Sequence, residues 1–246
     1  MEGPSLVILK EQAVKFVGKP VIAATGAARI DFDRITGQTL RRLDTWGKHF
    51  LMLFDDCYIR IHYLMFGNYY IDSRHDNPEK VAKLTLQFRN GEWNHYNCAV
   101  KINEGTDIDA VYDFRIDLMN DQWDPARARK TLEAHPGRLV SDALLDQQVF
   151  SGLGNIMKNE ILFRTRIHPE SRVGALPDKK LKELVAEART YAFDFLHWKK
   201  EGTLKRHWQA HTKKICPRCD IPLIKRHTGV TPRRSFFCEQ CQELYV

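Results

Sequence analysis

Four cysteines in two matched pairs are the clearest chemical signal in the sequence. Cys216 and Cys219 form one C-x-x-C pair, Cys238 and Cys241 form a second, and 18 residues separate the two pairs. Each pair can place two thiolates on one metal ion, and the chain between them is long enough to fold back as a hairpin. We therefore expect one structural Zn2+ per chain, held by all four cysteines. A redox dithiol or disulfides are the alternative that these residues leave open.

The segment between the cysteine pairs is basic. Residues 221–226 and 235–237 are predicted to form two strands that turn around Thr228-Gly229. A metal-stiffened basic hairpin suits contact with a phosphate backbone. Solvated charge on a structural hairpin is the alternative. The cationic side chains of this segment are Lys225, Arg226, Arg233 and Arg234.

A glycine-rich turn with the sequence Gly152-Leu153-Gly154-Asn155 precedes a predicted helix. Glycines allow close backbone approach, and a helix N-terminus offers backbone N–H groups to an anion. The side-chain amide of Asn155 adds a further donor. The turn therefore predicts an anion site, although many glycine turns bind nothing.

Positive charge is concentrated at one end of the chain. The 246 residues have a net charge of +7. Residues 199–246 contain eleven Lys/Arg and four Asp/Glu, whereas residues 1–198 contain twenty-seven of each. The hydrophobic fraction of 43% excludes a wholly disordered chain, and no apolar run approaches the roughly 20 residues that span a bilayer. Because Met1-Glu2-Gly3-Pro4 does not resemble a signal peptide, we expect a cytoplasmic protein without membrane contact.

The elements that must position these groups change in character along the chain. A leading helix is predicted over residues 5–17, with Ser5 as its cap. Short β-branched and aromatic runs follow, which favour a sandwich or barrel. From Asp124-Pro125 onward the apolar period is helical. Strands are predicted over residues 21–24, 49–54, 58–62, 68–72, 84–88 and 93–97, and helices over 142–150, 155–163 and from Asp178.

The predicted fold class is α+β, with three domains. An N-terminal β-rich sandwich or barrel domain with its leading helix occupies residues 1–120. A helical domain follows over 121–212, and a zinc-finger hairpin occupies 213–246.

Several independent motifs resemble one family. The stretch from Leu144-Leu145-Asp146-Gln147 through the glycine turn and Asn159-Glu160 to Ile167-His168-Pro169 is similar to the helix–two-turns–helix signature of the formamidopyrimidine-DNA glycosylase and endonuclease VIII family. The hairpin from Arg233 to Cys238 resembles that family's zinc finger. The family removes oxidised bases from DNA and then cleaves the strand. The resemblance thus implies a bifunctional DNA glycosylase and AP lyase of base excision repair.

The N-terminal residues resemble the family's catalytic residues. Glu2-Gly3-Pro4 matches its N-terminus, and Thr45-Trp46-Gly47-Lys48 matches the segment with its essential lysine. An α-amine with a pKa of about 7.7–8.0 is more often neutral at pH 7 than a lysine, so it is the better nucleophile for a Schiff base. The resemblance implies this role for the first residue, proton handling for Glu2 and DNA stabilisation for Lys48.

One position departs from the family pattern, because the family has proline after the initiator methionine and this chain has Glu2. A bulky acidic second residue should block methionine removal. Met1 would then present a primary amine beside Glu2, in register with the family's proline. Primary amines also form Schiff bases, so the chemistry could survive. Alternatively, the chain is an impaired natural or engineered form, or its start has lost the proline.

The segment from His62 to Gly67 resembles the part of the family that fills the gap left by a flipped base. Leu64, Met65 and Phe66 would be consecutive bulky apolar residues on a turn, which is unfavourable in water unless they are used as a wedge. Ordinary core between two strands is the alternative. Three adjacent wedge residues favour the endonuclease VIII branch, which prefers oxidised pyrimidines.

The resemblance implies damaged double-stranded DNA as the partner, with a monomer acting on it. His62, Leu64, Met65, Phe66, Asn155 and Arg233 are the expected DNA-binding residues. Two other hypotheses stay open. One is a non-catalytic lesion-binding protein on the same scaffold, and the other is an RNA-binding zinc-ribbon protein with an unrelated β domain.

Overall fold

The computed structural model describes residues 1–230 and 232–246, and these form two compact units. No helix in these residues is long and apolar enough to cross a membrane. The first unit contains Met1 and Ser5–Tyr112, and the second contains Glu2–Pro4 and Asp113–Val246.

The first unit is built on one six-stranded antiparallel sheet with strand order β1-β5-β6-β4-β3-β2. Its buried apolar side chains pack with those of helix α1 (Gly3–Ala13), of which Leu6 and Leu9 are fully buried. This sheet and the helices of the second unit confirm the predicted α+β class. The strands are β1 Ala23–Thr25, β2 Arg42–Trp46, β3 His49–Leu53, β4 Cys57–Ile71, β5 Leu84–Phe88 and β6 Gly91–Glu104.

Helix α1 spans Gly3–Ala13, so the predicted start with a Ser5 cap is wrong. Ser5 lies inside the helix and is 6% exposed. The Gly3 N–H donates to the carbonyl of Gly152 at 2.9 Å, and this distant acceptor serves the first turn in place of a capping side chain. A short 3-10 turn, Val14–Phe16, follows, and Gly18 then leaves the helical region with a φ of +78°.

Strand β4 combines two segments that were predicted as separate strands. It pairs with β6 on both sides of an irregularity, with Tyr63 opposite Cys98 and Asn68 opposite Tyr96. Four residues of β4 therefore lie opposite the single residue Asn97. This is a β-bulge, which interrupts the ladder without ending the strand.

Strand β2 was missed in the sequence. It forms a tight hairpin with β3, in which Trp46 pairs with His49 and Gly47-Lys48 form the loop. Gly47 has a φ of +56°, as primed two-residue hairpin turns require. Lys48 is therefore held on a short, defined loop.

In the second unit, residues 113–230 and 232–246 contain four α-helices. Asp124 caps α2 by accepting the N–H groups of Ala126 and Arg127, as the Asp124-Pro125 signal predicts. The predicted apolar side of α5 is buried, from Leu181 to Phe195. The helices are α2 Pro125–Glu133, α3 Val140–Leu145, α4 Asn155–Arg164 and α5 Asp178–Lys200.

Helix α3 starts earlier and ends sooner than the predicted 142–150. The Asp146 carboxylate accepts the N–H of Gln148 at 2.8 Å, which favours a turn over a further helical residue. Arg138 also pairs with Asp146 at 2.5 Å and holds it there. This local turn carries the chain from α3 towards the glycine loop.

The predicted cysteine-paired hairpin is present, with β7 Ile224–Thr228 and β8 Arg233–Phe237 antiparallel. It belongs to the same compact unit as the helices. The division into domains 1–120, 121–212 and 213–246 stays a prediction about segments that fold independently.

Candidate active site and nucleic-acid interface

The Glu2 carboxylate lies at the N-terminus of α4. Its Oε1 accepts the Ile156 N–H at 2.8 Å, and its Oε2 lies 3.4 Å from the Met157 nitrogen. A helix N-terminus favours a negative charge, and these backbone donors hold the carboxylate in one orientation. The structure therefore brings this predicted proton-handling residue to the glycine turn.

This arrangement corrects the prediction that the glycine turn offers free N–H groups to an external anion. The anion at this helix end is the side chain of Glu2. A Cβ atom on Gly154 would lie far inside van der Waals contact with the Glu2 carboxyl, which explains the glycine. Gln147 stiffens the turn, because its amide oxygen accepts the Gly152 N–H at 3.1 Å and its amide nitrogen donates to the Leu153 carbonyl at 3.0 Å.

The first unit brings Met1, Lys48 and His62 within electrostatic reach of one another. His62 lies directly opposite His49 on the neighbouring strand, with ring centroids 5.0 Å apart. Burial, followed by the charges of the N-terminal amine and Lys48, lowers the pKa of His62. Burial, followed by the charges of His62, Arg60 and Lys48, lowers the pKa of His49 to about 4. Both imidazoles are therefore neutral at neutral pH.

Leu64, Met65 and Phe66 form the β4 bulge, and they are 47%, 68% and 87% exposed. The expectation of a turn is wrong, since they lie in a bulge within one strand, and so is the alternative of ordinary core. Their side chains stand out from the sheet as a wedge must. Whether they enter DNA stays a prediction.

The bulge is held by Asn97 from β6. Its amide Nδ2 donates to the Met65 carbonyl at 2.6 Å. Phe66 has a φ of +64°, which is unfavourable for an aromatic residue and must be held by its surroundings. A Cβ on Gly67 would lie 2.5 Å from the Asn97 carbonyl oxygen, so only glycine fits there.

The four predicted ligand cysteines form one cluster. Their Sγ atoms all lie within 4.8 Å of one another, and those of Cys216 and Cys241 are 3.8 Å apart. Tetrahedral zinc with Zn–S bonds of about 2.3 Å needs S···S separations of about 3.8 Å. The cluster fits that geometry, with Cys216 and Cys238 fully buried. Four protein ligands leave no open position for substrate, as in a structural site.

Asn155 and Arg233 lie close together in the second unit. The Asn155 Nδ2 donates to the carbonyl of Arg234 at 3.0 Å, which places the amide against the strand that begins at Arg233. Arg233 itself is exposed. Both residues are on the same local surface, as contact with one stretch of phosphate backbone would require.

Sequence reasoning missed Lys158 and the positioning role of Asn159. Asn159 donates to the Asn155 and Arg234 carbonyls, and its Oδ1 accepts the Phe236 N–H at 3.0 Å. Lys158 donates to Ser235. The available signal was their spacing of three and four residues from Asn155, which places all three side chains on one face of α4.

Family comparisons agree with this arrangement. The formamidopyrimidine-DNA glycosylase N-terminal domain matches residues 8–102, and the H2TH domain of the same glycosylase matches residues 117–202. The chain belongs to the formamidopyrimidine-DNA glycosylase and endonuclease VIII family.

Members of this family are similar over most of the chain. Endonuclease 8-like 3 from Xenopus laevis is 26% identical over 91% of this chain and 38% of its own length. The Homo sapiens protein of the same name is 25% identical over 99% of this chain and 42% of its own length. The chain thus spans about two fifths of these two relatives. Formamidopyrimidine-DNA glycosylase from Oceanobacillus iheyensis is 29% identical over 85% of this chain and 81% of its own.

Solved structures show the family's fold. The Lactococcus lactis formamidopyrimidine-DNA glycosylase, solved with DNA containing an AP site, has a TM-score of 0.86 at 22% identity. It covers 99% of this chain and 100% of its own. A viral DNA glycosylase has a TM-score of 0.84 at 20% identity, and it covers 99% of this chain and 100% of its own. At these identities the likeness concerns the fold alone.

Proposed function

We propose that this chain is a DNA glycosylase of base excision repair with AP lyase activity. It excises oxidised bases, with pyrimidines favoured, from double-stranded DNA and then cleaves the strand by β,δ-elimination. One structural zinc per chain, held by the four clustered cysteines, would stiffen its hairpin. We further propose that it acts as a monomer in the cytoplasm. Family membership supports the reaction class, and the residues described above support the individual roles.

The observation that carries the proposal is the Glu2 carboxylate fixed at the α4 N-terminus. It directly follows Met1 in the chain, so its position limits where the α-amine lies. A group that moves protons must be held in one geometry relative to the nucleophile. The two backbone donors and the glycine at position 154 provide that geometry for Glu2.

The proposed reaction begins when the neutral α-amine of Met1 attacks C1′ of the damaged nucleotide. The bond between C1′ and the base breaks, and the base leaves with a proton. The sugar ring then opens, with Glu2 moving protons at the sugar, and a C=N bond forms between C1′ and the amine. Loss of a C2′ proton expels the 3′ phosphate, and a second elimination expels the 5′ phosphate. Lys48 stabilises the bound DNA by its charge.

Borohydride trapping on DNA with an abasic site tests this function. We expect a covalent protein–DNA adduct that maps to the Met1 amine, because reduction fixes the C=N bond. Inserting proline between Met1 and Glu2 should allow removal of the methionine, so that the proline amine becomes the nucleophile. The trapping rate should then rise, since the ring restricts this amine and misplacement costs up to about 100-fold. An adduct on Lys48 or another internal lysine would contradict the amine as nucleophile.

A second candidate function is a non-turnover protein that binds lesions or abasic sites on the same scaffold. The presence of Glu2 directly after Met1, where the family has proline, is the observation that favours it. This candidate predicts DNA binding with no adduct even at high protein concentration. The trapping experiment therefore separates the two candidates directly.

The wedge makes a separate prediction. Replacing Leu64, Met65 and Phe66 together with alanine should slow excision from duplex DNA by about tenfold, because extruding a base from the stack costs a few kcal/mol. Excision from single strands should change little, since there is no stack to fill. Single-turnover rates on matched duplex and single-stranded substrates measure the difference.

Val81→Ala is the matched control, because Val81 is also apolar and 69% exposed but lies outside the bulge. It should leave both rates unchanged. Equal losses on both substrates in the triple variant would show that the bulge does not act as a wedge.

A further inference from the structure

Lys158 is a lysine in the interior of the second unit. It lies on α4 and is 0% exposed. Its ammonium donates to the Ser235 hydroxyl at 2.8 Å and lies 3.4 Å from the Arg234 carbonyl. Within residues 1–230 and 232–246 it forms no ion pair with a carboxylate. A buried ammonium with only neutral acceptors is unfavourable, and an aliphatic side chain of similar length would avoid that penalty.

The surroundings of Lys158 are polar and ordered. The Ser235 hydroxyl lies 2.6 Å from that of Thr228, and both residues are buried. Asn155 and Asn159 donate to the same Arg234 carbonyl that Lys158 approaches. These contacts fix the ammonium against one point of β8.

That point is next to the proposed phosphate contact. Arg233 precedes Ser235 by two residues on β8, and side chains two apart on a strand share a face. The charges of Lys158 and Arg233 interact: burial lowers the pKa of Lys158 to about 8, the Asp142 carboxylate opposes this, and Arg233 adds to it. Because the charges of Lys158 and Arg233 repel one another, an anion bound near them would be stabilised by both.

We propose that Lys158 is a buried cation that strengthens the binding of a DNA phosphate group at Arg233, acting through its charge from the same face of β8 without touching the phosphate. This inference rests on the proposed DNA-binding function. Binding of the phosphate relieves the repulsion between the two cations and favours the protonated lysine. DNA binding is therefore coupled to proton uptake by Lys158 whenever the lysine is partly neutral.

The sign of the resulting pH dependence follows from the lowered pKa. Below about pH 8 the lysine is charged in the free protein and assists binding, and above it the charge is lost, so affinity falls as pH rises. The charged or titratable groups that face Lys158 are Asp142, Arg233, Arg234 and His211. Burial lowers the pKa of His211 to about 4, so it stays neutral.

The test compares wild type with Lys158→Met and Lys158→Arg for binding to duplex DNA that contains an abasic-site analogue. Dissociation constants are measured by fluorescence anisotropy from about pH 7 to about pH 9.5. We expect wild-type affinity to fall by about tenfold across this range. Lys158→Met should bind DNA about tenfold more weakly than wild type at pH 7, and its affinity should not fall further as the pH rises. Lys158→Arg should bind DNA as tightly as wild type at pH 7 and keep that affinity across the range.

Thermal unfolding separates a role in binding from a structural role. Lys158→Met should melt at a higher temperature than wild type at pH 7, because it removes an unpaired buried charge. Lys182→Met is the matched control for loss of one positive charge, because Lys182 lies on the exposed side of α5. It should change the affinity for DNA little. If Lys158→Met binds as tightly as wild type, the inference is wrong. It is also wrong if both Lys158 variants melt lower and bind weakly.

Arg233→Ala distinguishes failure of this inference from failure of the proposed function. It should weaken binding to every DNA sequence and reduce the slope of affinity against salt by about 1. If Arg233→Ala changes neither quantity, the hairpin does not contact DNA and the proposed interface is wrong. If it weakens binding while Lys158→Met does not, only the role of Lys158 is overturned.

Discussion

Replacing Glu2 with glutamine is expected to slow base excision by about 100-fold or more, within the range that general acid–base catalysis contributes. Glutamine keeps the shape of the side chain, and its amide oxygen can still accept the Ile156 N–H, but it no longer accepts protons at the sugar. DNA affinity should therefore stay within about twofold of wild type. Single-turnover excision rates and anisotropy titrations measure the two quantities separately.

A second variant displaces Glu2 without changing it. A Cβ on Gly154 would overlap the Glu2 carboxyl, so Gly154→Ala should push the carboxylate away from the helix N-terminus and also slow excision. Gly137→Ala is the matched control, because nothing lies within 4 Å of the Cβ it would add. Normal excision by Glu2→Gln would show that Glu2 does not handle protons in the reaction.

Loss of the metal is expected to have the second large effect. Cys238→Ser should remove the bound zinc and weaken DNA binding by about 100-fold, because structural zinc sites contribute folding energy and the hairpin supplies several cations to the phosphate backbone. Metal analysis should find one zinc per wild-type chain and none in the variant. Circular dichroism should show that the sheet of the first unit remains largely folded.

Cys98→Ser provides the comparison for loss of a buried thiol. Cys98 is 4% exposed in the sheet unit and is not one of the four clustered cysteines. This variant should keep its zinc and its DNA affinity. Wild-type protein purified without chelators that contains no zinc would refute the metal assignment.

The sequence by itself determined those features that depend on residues a few positions apart in the chain. The two C-x-x-C pairs predict a four-cysteine cluster because each pair fixes two thiolates within one turn of chain. Asp124-Pro125 predicts the start of α2, since a cap and its donors lie within three residues. The apolar face of α5 follows from helical period alone. The family was identified from the same kind of local motif.

Only the tertiary structure decided how distant residues share donors and acceptors. The glycine turn has the backbone of an anion site, but the chain returns Glu2 to it from 154 positions away, so its donors are already used. Gly3 replaced Ser5 as the helix start for a similar reason, because a remote carbonyl accepted its N–H. The Asn97 amide holds open a bulge that β4 alone does not specify.

Lys158 is the clearest example of a residue whose surroundings only the tertiary structure decides. In the sequence it is one of 38 cationic residues, and its place on α4 predicts only the face it shares with Asn155. Packing of β8 against that face turns it into a buried charge bonded to Ser235. Capping and periodicity act between residues a few positions apart, which the sequence displays directly. Burial and the sharing of hydrogen-bond partners depend on which remote segments meet, and that is settled only when the whole chain packs.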